Sequence, residues 1–201
     1  MVSKTKRLEE IAENKRSFRF FKKSIRATFP LTNPAFERDS KLYEAECSEK
    51  EAKDLETTKK LGQDNEPAYL DSLNIPMKNA YRNAAICYQQ AGAYFVLLSG
   101  KVSSSGPKKA LKCFKHSSMC YAALARIVKE ESELLAEQNK EKPFSIYNHL
   151  MHESVITKRH ATIAKHEAAY RRARNLVISL GTLRLYERTT KLLNPGPYSK
   201  K

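Results

Sequence analysis

The sequence predicts an all-α protein, an antiparallel helical bundle or short α-solenoid of about five helices, with long helices near 107–140 and 145–180. Three observations predict it. Glycine is scarce, 6 in 201 residues, and no window alternates apolar and polar residues with the period of two that a strand needs. Apolar side chains instead recur every three to four positions from Met77 through Leu135. The gaps between such runs carry helix-stopping and helix-starting residues: Pro30, Asn33 with Pro34, Gly62, Gly100 and Pro143.

The first helix is expected over about 4–28, where Leu8, Ile11, Phe18, Ile25 and Phe29 trace one apolar stripe that Pro30 ends. Asn33 is placed as an N-cap and Pro34 at the first helical position, where a missing N–H costs nothing. The second helix then runs to Gly62. It is mostly polar, with Glu37/Lys41, Glu46/Lys50, Glu49/Lys53 and Glu56/Lys60 at the i,i+4 spacing, each pair contributing about 0.2–0.5 kcal/mol. Its thin apolar seam of Phe36, Tyr43, Cys47, Leu55 and Leu61 places it on the outside of the fold.

Residues 62–75, rich in turn formers and interrupted by Pro67, read as a linker. From Pro76 to Ser99 the stripe Met77, Tyr81, Ala84, Tyr88, Ala91, Phe95 and Leu98 is unbroken, flanked by Ala80, Ala85, Gly92 and Ala93, whose small side chains let neighbouring backbones approach. Gly100 suits the helix end. The next helix is capped at Ser105 or Gly106, with Ala110, Phe114, Tyr121, Ala125, Val128 and Leu135 continuing the stripe to Lys140. Ser145 caps the last element, striped by Tyr170, Ala173, Val177 and Leu180; Gly181 is expected to break it, leaving a short tail helix to Leu193. The implied organisation is a basic first helix and acidic second helix (1–62), a linker (63–75), a helical core (76–193) and a flexible tail (194–201).

Net charge is +15, unevenly spread: residues 1–29 hold 9 bases against 3 acids, 30–75 hold 11 acids against 6 bases, and 145–201 hold 11 bases against 3 acids. Such a balance favours an acidic protein surface or a polyanion as partner. No run of about 18 apolar residues exists to span a bilayer, and the N-terminus lacks the apolar core of a signal peptide. A cytoplasmic or nuclear location is the expectation. Contact of the first helix with an anionic membrane surface is weakened by Glu9, Glu10 and Glu13.

Catalytic chemistry finds little support. The segment from Gly100 lacks the G-x-x-x-x-G-K-[ST] spacing and the preceding strand of a phosphate loop. It reads as a connection, although Ser103, Ser104 and Ser105 are candidate phosphorylation sites at a helix N-terminus. Cys47, Cys87, Cys113 and Cys120 form no C-x-x-C pair and read as reduced thiols. Cys113 and Cys120 are about 10 Å apart along a helix, too far to share a metal or a disulfide. His149, His152 and Glu153 share a helix face, but Ile156 stands where H-E-x-x-H requires histidine, and Glu-x-x-His is absent. His160 is expected to be half-buried, and His116 and His166 exposed. No G-x-S-x-G is present. No catalytic, cofactor or metal residue is assigned.

The remaining signal is basic. In the first helix Arg16, Arg19, Lys22, Lys23 and Arg26 interleave with Phe18, Phe20 and Phe21; in the last, Lys158, Lys165 and Arg172 repeat every seven residues. These stripes suit either a protein partner or nucleic-acid phosphates, the latter with a salt-dependent counterion-release contribution. Ala84, Tyr88, Ala91 and Gly92, then Ala110 and Phe114 with Ser117 in place of alanine, resemble helical hairpins of the tetratricopeptide type, including the variant in soluble NSF attachment proteins, over residues 84–124. That resemblance implies paired helices and a role in protein binding. The expectation is a non-catalytic interaction module binding a protein partner through Arg16, Arg19, Lys22, Lys23, Lys158, Lys165 and Arg172, with a nucleic-acid-associated component as the alternative.

Overall fold

The computed structural model describes the backbone of residues 4–29, 34–62, 67–101, 104–140 and 146–193, and side chains over 9, 10, 12–29, 37–62, 69–101, 104–133 and 157–189. The protein is all-α, with no strand among the described residues. Among the described residues six helices follow in order: α1 (Lys4–Thr28), α2 (Pro34–Leu61), α3 (Pro67–Ser72), α4 (Asn74–Leu98), α5 (Ser105–Lys140) and α6 (Ile146–Leu193). The segment 194–201, Ser103, and the side chains of Leu8, Ile11, Phe36, Leu135, His149, His152, Glu153 and Ile156 lie outside the described residues.

Two differences from the sequence reading concern where helices begin and end. The segment read as a linker contains α3, for which Pro67 supplies the first residue with its φ already helical. Gly181 does not interrupt α6, which runs unbroken for 48 residues. A helical glycine costs about 1 kcal/mol relative to alanine, a deficit that packing on either side overcomes: Leu180 is fully buried and Ala173 likewise. Nothing lies within 4 Å of a Cβ added at Gly181. Gly181→Ala is therefore expected to raise stability by about 0.5–1 kcal/mol, read as a higher urea midpoint at unchanged m-value.

The chain divides into two compact units, one built from Met1–Tyr43, Cys87–Lys115 and Arg174–Lys201, the other from Glu44–Ile86 and His116–Ala173. In the first, the second half of α4 is the centre. Cys87, Tyr88, Ala91, Ala93, Tyr94, Phe95 and Val96 are all buried, so this half is enclosed on nearly every side rather than along one stripe. Small residues make that enclosure sterically feasible. A Cβ on Gly92 would stand 2.6 Å from Cε1 of the buried Phe114 ring, and one on Gly106 would stand 2.8 Å from the Phe95 carbonyl oxygen. These two approaches, Gly92 to Phe114 and Phe95 to Gly106, run α4 and α5 antiparallel. Leu98, expected in the core stripe, is exposed at the helix end. Phe18 and Ile25 of α1, Ala110 and Cys113 of α5 and Leu180 of α6 are also buried in this unit.

In the second unit α4 and α5 are again antiparallel: Ser117 Oγ donates to the Ala85 carbonyl at 2.8 Å, and Lys78 pairs with Glu131 at 2.7 Å. Ser117 is fully buried, and the Ala85 carbonyl satisfies its hydroxyl, which is how a serine substitutes for alanine in this small-residue position. Met77, Ala84, Ala85, Cys120, Leu124, Ile127 and Val128 form the core. The seam expected on α2 is overturned. Tyr43, Cys47 and Leu61 are exposed, and the inward positions are Ala45, Ser48, Glu49 and Ala52. Helix α2 packs by its smallest side chains, because they bring its polar residues within hydrogen-bond reach of α4 and α5.

Candidate functional site

The inward face of α2 determines how charge is distributed over the surface. In the second unit Tyr81 Oη donates to Glu56 at 2.6 Å, and Arg126 and Lys60 pair with the same carboxylate at 2.8 and 3.0 Å. Glu49, buried, meets His116 at 3.0 Å and Lys53 at 2.6 Å. Asn83 donates to Ser48 at 2.8 Å, and Lys59 donates to Asn74 at 2.7 Å. In the first unit Glu37 accepts from Tyr94, and the Phe95 ring has Arg38 5.3 Å and Lys109 5.6 Å from its centroid. Glu37, Glu49 and Glu56 of α2 are thus bound to neighbouring helices. The i,i+4 lysines that suggested a solvated helix serve Glu49 and Glu56 on its inner edge.

These contacts shift protonation equilibria. For Glu56, burial alone would raise the pKa, but the hydrogen bonds from Tyr81 and Lys60 and the Arg126 charge outweigh it and hold the group below its ordinary value. Burial first, then hydrogen bonding to a carboxylate, raises Tyr81 well above its usual range and Tyr94 to about 12. Burial, with the Glu49 charge, pushes the Cys120 thiol to about 12. Groups with raised pKa values contribute stability that is complete below their unfolded values, about 8.5–10 for thiol and phenol, and lost as pH rises toward the folded values. The depressed Glu56 contributes stability present above about pH 4.3 and lost on acidification. Urea midpoints measured from pH 7 to 11 should therefore fall above about pH 9, and Tyr81→Phe with Tyr94→Phe should flatten that fall. An unchanged midpoint at pH 11 would contradict the assignment.

With Glu37, Glu49 and Glu56 engaged, two sets of exposed cations stand apart from carboxylates among the described residues. Arg16, Arg19 and Lys23 of α1 are exposed, and Phe20 between them is 75% exposed. None of the three pairs with a carboxylate among the described residues. Lys22 differs: its ammonium donates to the Ser99 carbonyl at 2.8 Å and lies 5.9 Å from the Phe18 ring centroid, tying α1 to the end of α4. Lys158, Lys165 and Arg172 are exposed on α6 and likewise pair with no carboxylate among the described residues, whereas Arg171 pairs with Glu167 at 3.3 Å. Each set belongs to its own unit. Of the serine candidates, Ser104 donates to the Lys101 carbonyl at 2.7 Å, and Ser105 opens α5 and is exposed.

The histidines depart from expectation. His166 is buried, His160 is exposed, and His116 is half-buried against Glu49. His166 falls on the inner line of α6 with Ala169 and Ala173, a neighbourhood the surrounding charged sequence conceals. Arg82, which the apolar stripe of α4 leaves unremarked, is exposed in the second unit. The periodicity held the signal: Ile75, Asn79, Arg82 and Ile86, at steps of four, three and four, form the outward line of that half of α4. Among the described residues no three His, Cys, Asp or Glu side chains gather as a metal-binding group, and no helix is long and apolar enough to cross a membrane.

No protein-family model matches the chain, and neither a curated protein nor a solved structure resembles it significantly.

Proposed function

We propose that the protein is a non-catalytic helical interaction module, an adaptor or complex subunit, that binds an acidic protein partner through basic helix faces. The observation that carries this reading is the segregation of charge. The α2 acids Glu37, Glu49 and Glu56 bind neighbouring helices, while Lys158, Lys165 and Arg172 face solvent with no carboxylate partner among the described residues. Exposed cations arranged this way accelerate encounter with an acidic surface and select against basic ones. The α4–α5 pairing is also what the tetratricopeptide-like resemblance implies, and it supports an interaction role; a cytoplasmic or nuclear location is proposed alongside it.

The test is affinity capture from cell extract with the wild-type chain and a Lys158→Gln/Lys165→Gln/Arg172→Gln variant. Recovery of a defined acidic partner by the wild type, reduced tenfold or more in the variant at equal folding, is expected. Equal recovery by both removes this face from the proposal.

A second reading is favoured by one observation: Phe20 projects from α1 among Arg16, Arg19 and Lys23, the combination of stacking surface and phosphate-neutralising charge used on single-stranded nucleic acid. It predicts RNA or DNA binding that falls steeply with salt. Absence of binding at low ionic strength would eliminate it.

A further inference from the structure

One stretch of α6 in the first unit exposes no charge. Between Arg174 and Arg188 the exposed side chains are Asn175, Ile178, Ser179, Thr182, Leu185 and Tyr186, in a chain of which 29% is charged. The helix itself sets their placement. Leu180 is fully buried, and at 3.6 residues per turn Ile178 and Leu185 lie about 140–160° around the axis from it. Both face outward, 52% and 67% exposed. Gly181 falls between them on that side, and nothing lies within 4 Å of a Cβ added there. A helical glycine is less favourable than alanine, and no neighbour within the fold requires one at this position. The ends of the stretch are basic: Arg174 and Arg188 are exposed on the same side, about 21 Å apart along the axis. Neither pairs with a carboxylate among the described residues, whereas Arg171, one turn earlier on the same helix, pairs with Glu167.

We infer that this face of α6 docks an acidic amphipathic helix of the partner protein, whose apolar side chains cover Ile178 and Leu185, whose backbone crosses at Gly181 and whose carboxylates meet Arg174 and Arg188. The inference rests on the interaction reading and gives the first unit a surface of its own, since Lys158, Lys165 and Arg172 belong to the second. A single exposed apolar residue needs no explanation, but a line of them with no charge among them marks a contact surface. Anchors at i and i+7 are what one helix presents to another. With no strand among the described residues, an extended segment finds no sheet edge to join. Glycine, lacking a Cβ, lets a second backbone come close. Charge complementarity selects the occupant. A second copy of this chain would bring the same arginines and a further net charge of +15, which opposes association, whereas carboxylates at both ends of an arriving helix are attracted to Arg174 and Arg188 and fix its register.

The experiment uses the full chain and three synthetic peptides of about 18 residues, five helical turns. The first carries leucines along one helical face and glutamates at both ends of it, the second has lysines for the glutamates, and the third has alanines for the leucines. Calorimetry is expected to show saturable binding of the first, about tenfold or more tighter than either control. Ile178→Ser with Leu185→Ser should weaken it about tenfold, while Met119→Ser, at an exposed apolar residue of the other unit, should leave it within about twofold. Gly181→Gln should raise the urea midpoint yet weaken the peptide about fivefold, opposite signs that a glycine serving only the fold would not give. Arg174→Gln with Arg188→Gln should slow association and flatten its salt dependence. No saturable binding of the acidic peptide, equal affinity for the lysine form, or unchanged binding in the Ile178→Ser/Leu185→Ser variant would overturn the surface. Dimerisation in sedimentation, or binding to phosphatidylserine vesicles, that this variant abolishes would overturn the partner helix as occupant in favour of a second copy or a lipid surface. Partner capture lost in the triple glutamine variant but intact in Ile178→Ser/Leu185→Ser would overturn the surface while leaving the interaction reading standing.

Discussion

Phe114→Ala should lower the unfolding free energy by about 3–5 kcal/mol, the range for deleting a buried aromatic ring. Phe114 has no solvent exposure, and its ring fills the space left by the missing side chain of Gly92. Its surroundings cannot collapse readily into the gap. Helix α4 is buried on nearly every side here, by Tyr88, Ala91, Ala93, Tyr94 and Phe95, and these side chains already occupy their own contacts. The cavity would therefore persist, and cavity volume adds to the transfer cost. Urea denaturation followed by circular dichroism measures the change. A loss below about 1.5 kcal/mol would mean that the site relaxes and that the close α4–α5 approach contributes less than the geometry implies.

Gly92→Ala carries the second large effect and has the opposite sign from a propensity argument. Alanine in place of a helical glycine contributes about 1 kcal/mol of stability, as expected at Gly181. At Gly92 the added methyl would lie 2.6 Å from Cε1 and 2.9 Å from Cδ1 of the Phe114 ring, inside any tolerable contact. The overpacking cost is about 1–3 kcal/mol, enough to outweigh the gain and leave a net loss. Combining Gly92→Ala with Phe114→Leu shortens the ring that the methyl meets. The double variant should be more stable than the sum of the single effects by about 0.5–3 kcal/mol, the signature of residues in contact. Additive effects would remove the steric explanation. Gly92→Ala and Gly181→Ala together form a matched pair in which one substitution on one helix type is read with opposite outcomes.

The same contrast marks what sequence reading can reach. The six helix-stripe positions from Met77 to Phe95 that periodicity selects are all buried, and they are joined in the core by Tyr94, Val96 and Ala93, which lie off that stripe. A period finds the face of a helix that touches one neighbour; a helix enclosed from several directions has no single face. On α2 the error ran the other way. Size favours Tyr43 and Leu61, which are exposed, while Ala45, Ser48, Glu49 and Ala52 face inward. Polar side chains count as surface in a hydropathy pattern, yet a glutamate with tyrosine, arginine or histidine opposite it can be buried because its lone pairs are satisfied.

Of the candidate binding residues, the heptad of Lys158, Lys165 and Arg172 was visible from spacing alone, since residues seven apart share a helix face whatever the tertiary fold. Lys22 falls with its basic neighbours in the sequence pattern, but its ammonium serves the Ser99 carbonyl.

Local preferences along the chain decided that this protein is helical and where most of its helices start and stop, because capping residues, prolines and the 3.6-residue period act over a few neighbouring positions; at Gly181 packing overrides the local stop signal. The surplus of positive charge is likewise a property of composition. Which acids are consumed internally, which cations are left facing solvent, and which small residues must stay small were decided by the tertiary structure. Those outcomes depend on distances between helices, where a hydrogen bond or a steric clash changes over less than 1 Å and no local pattern encodes the separation.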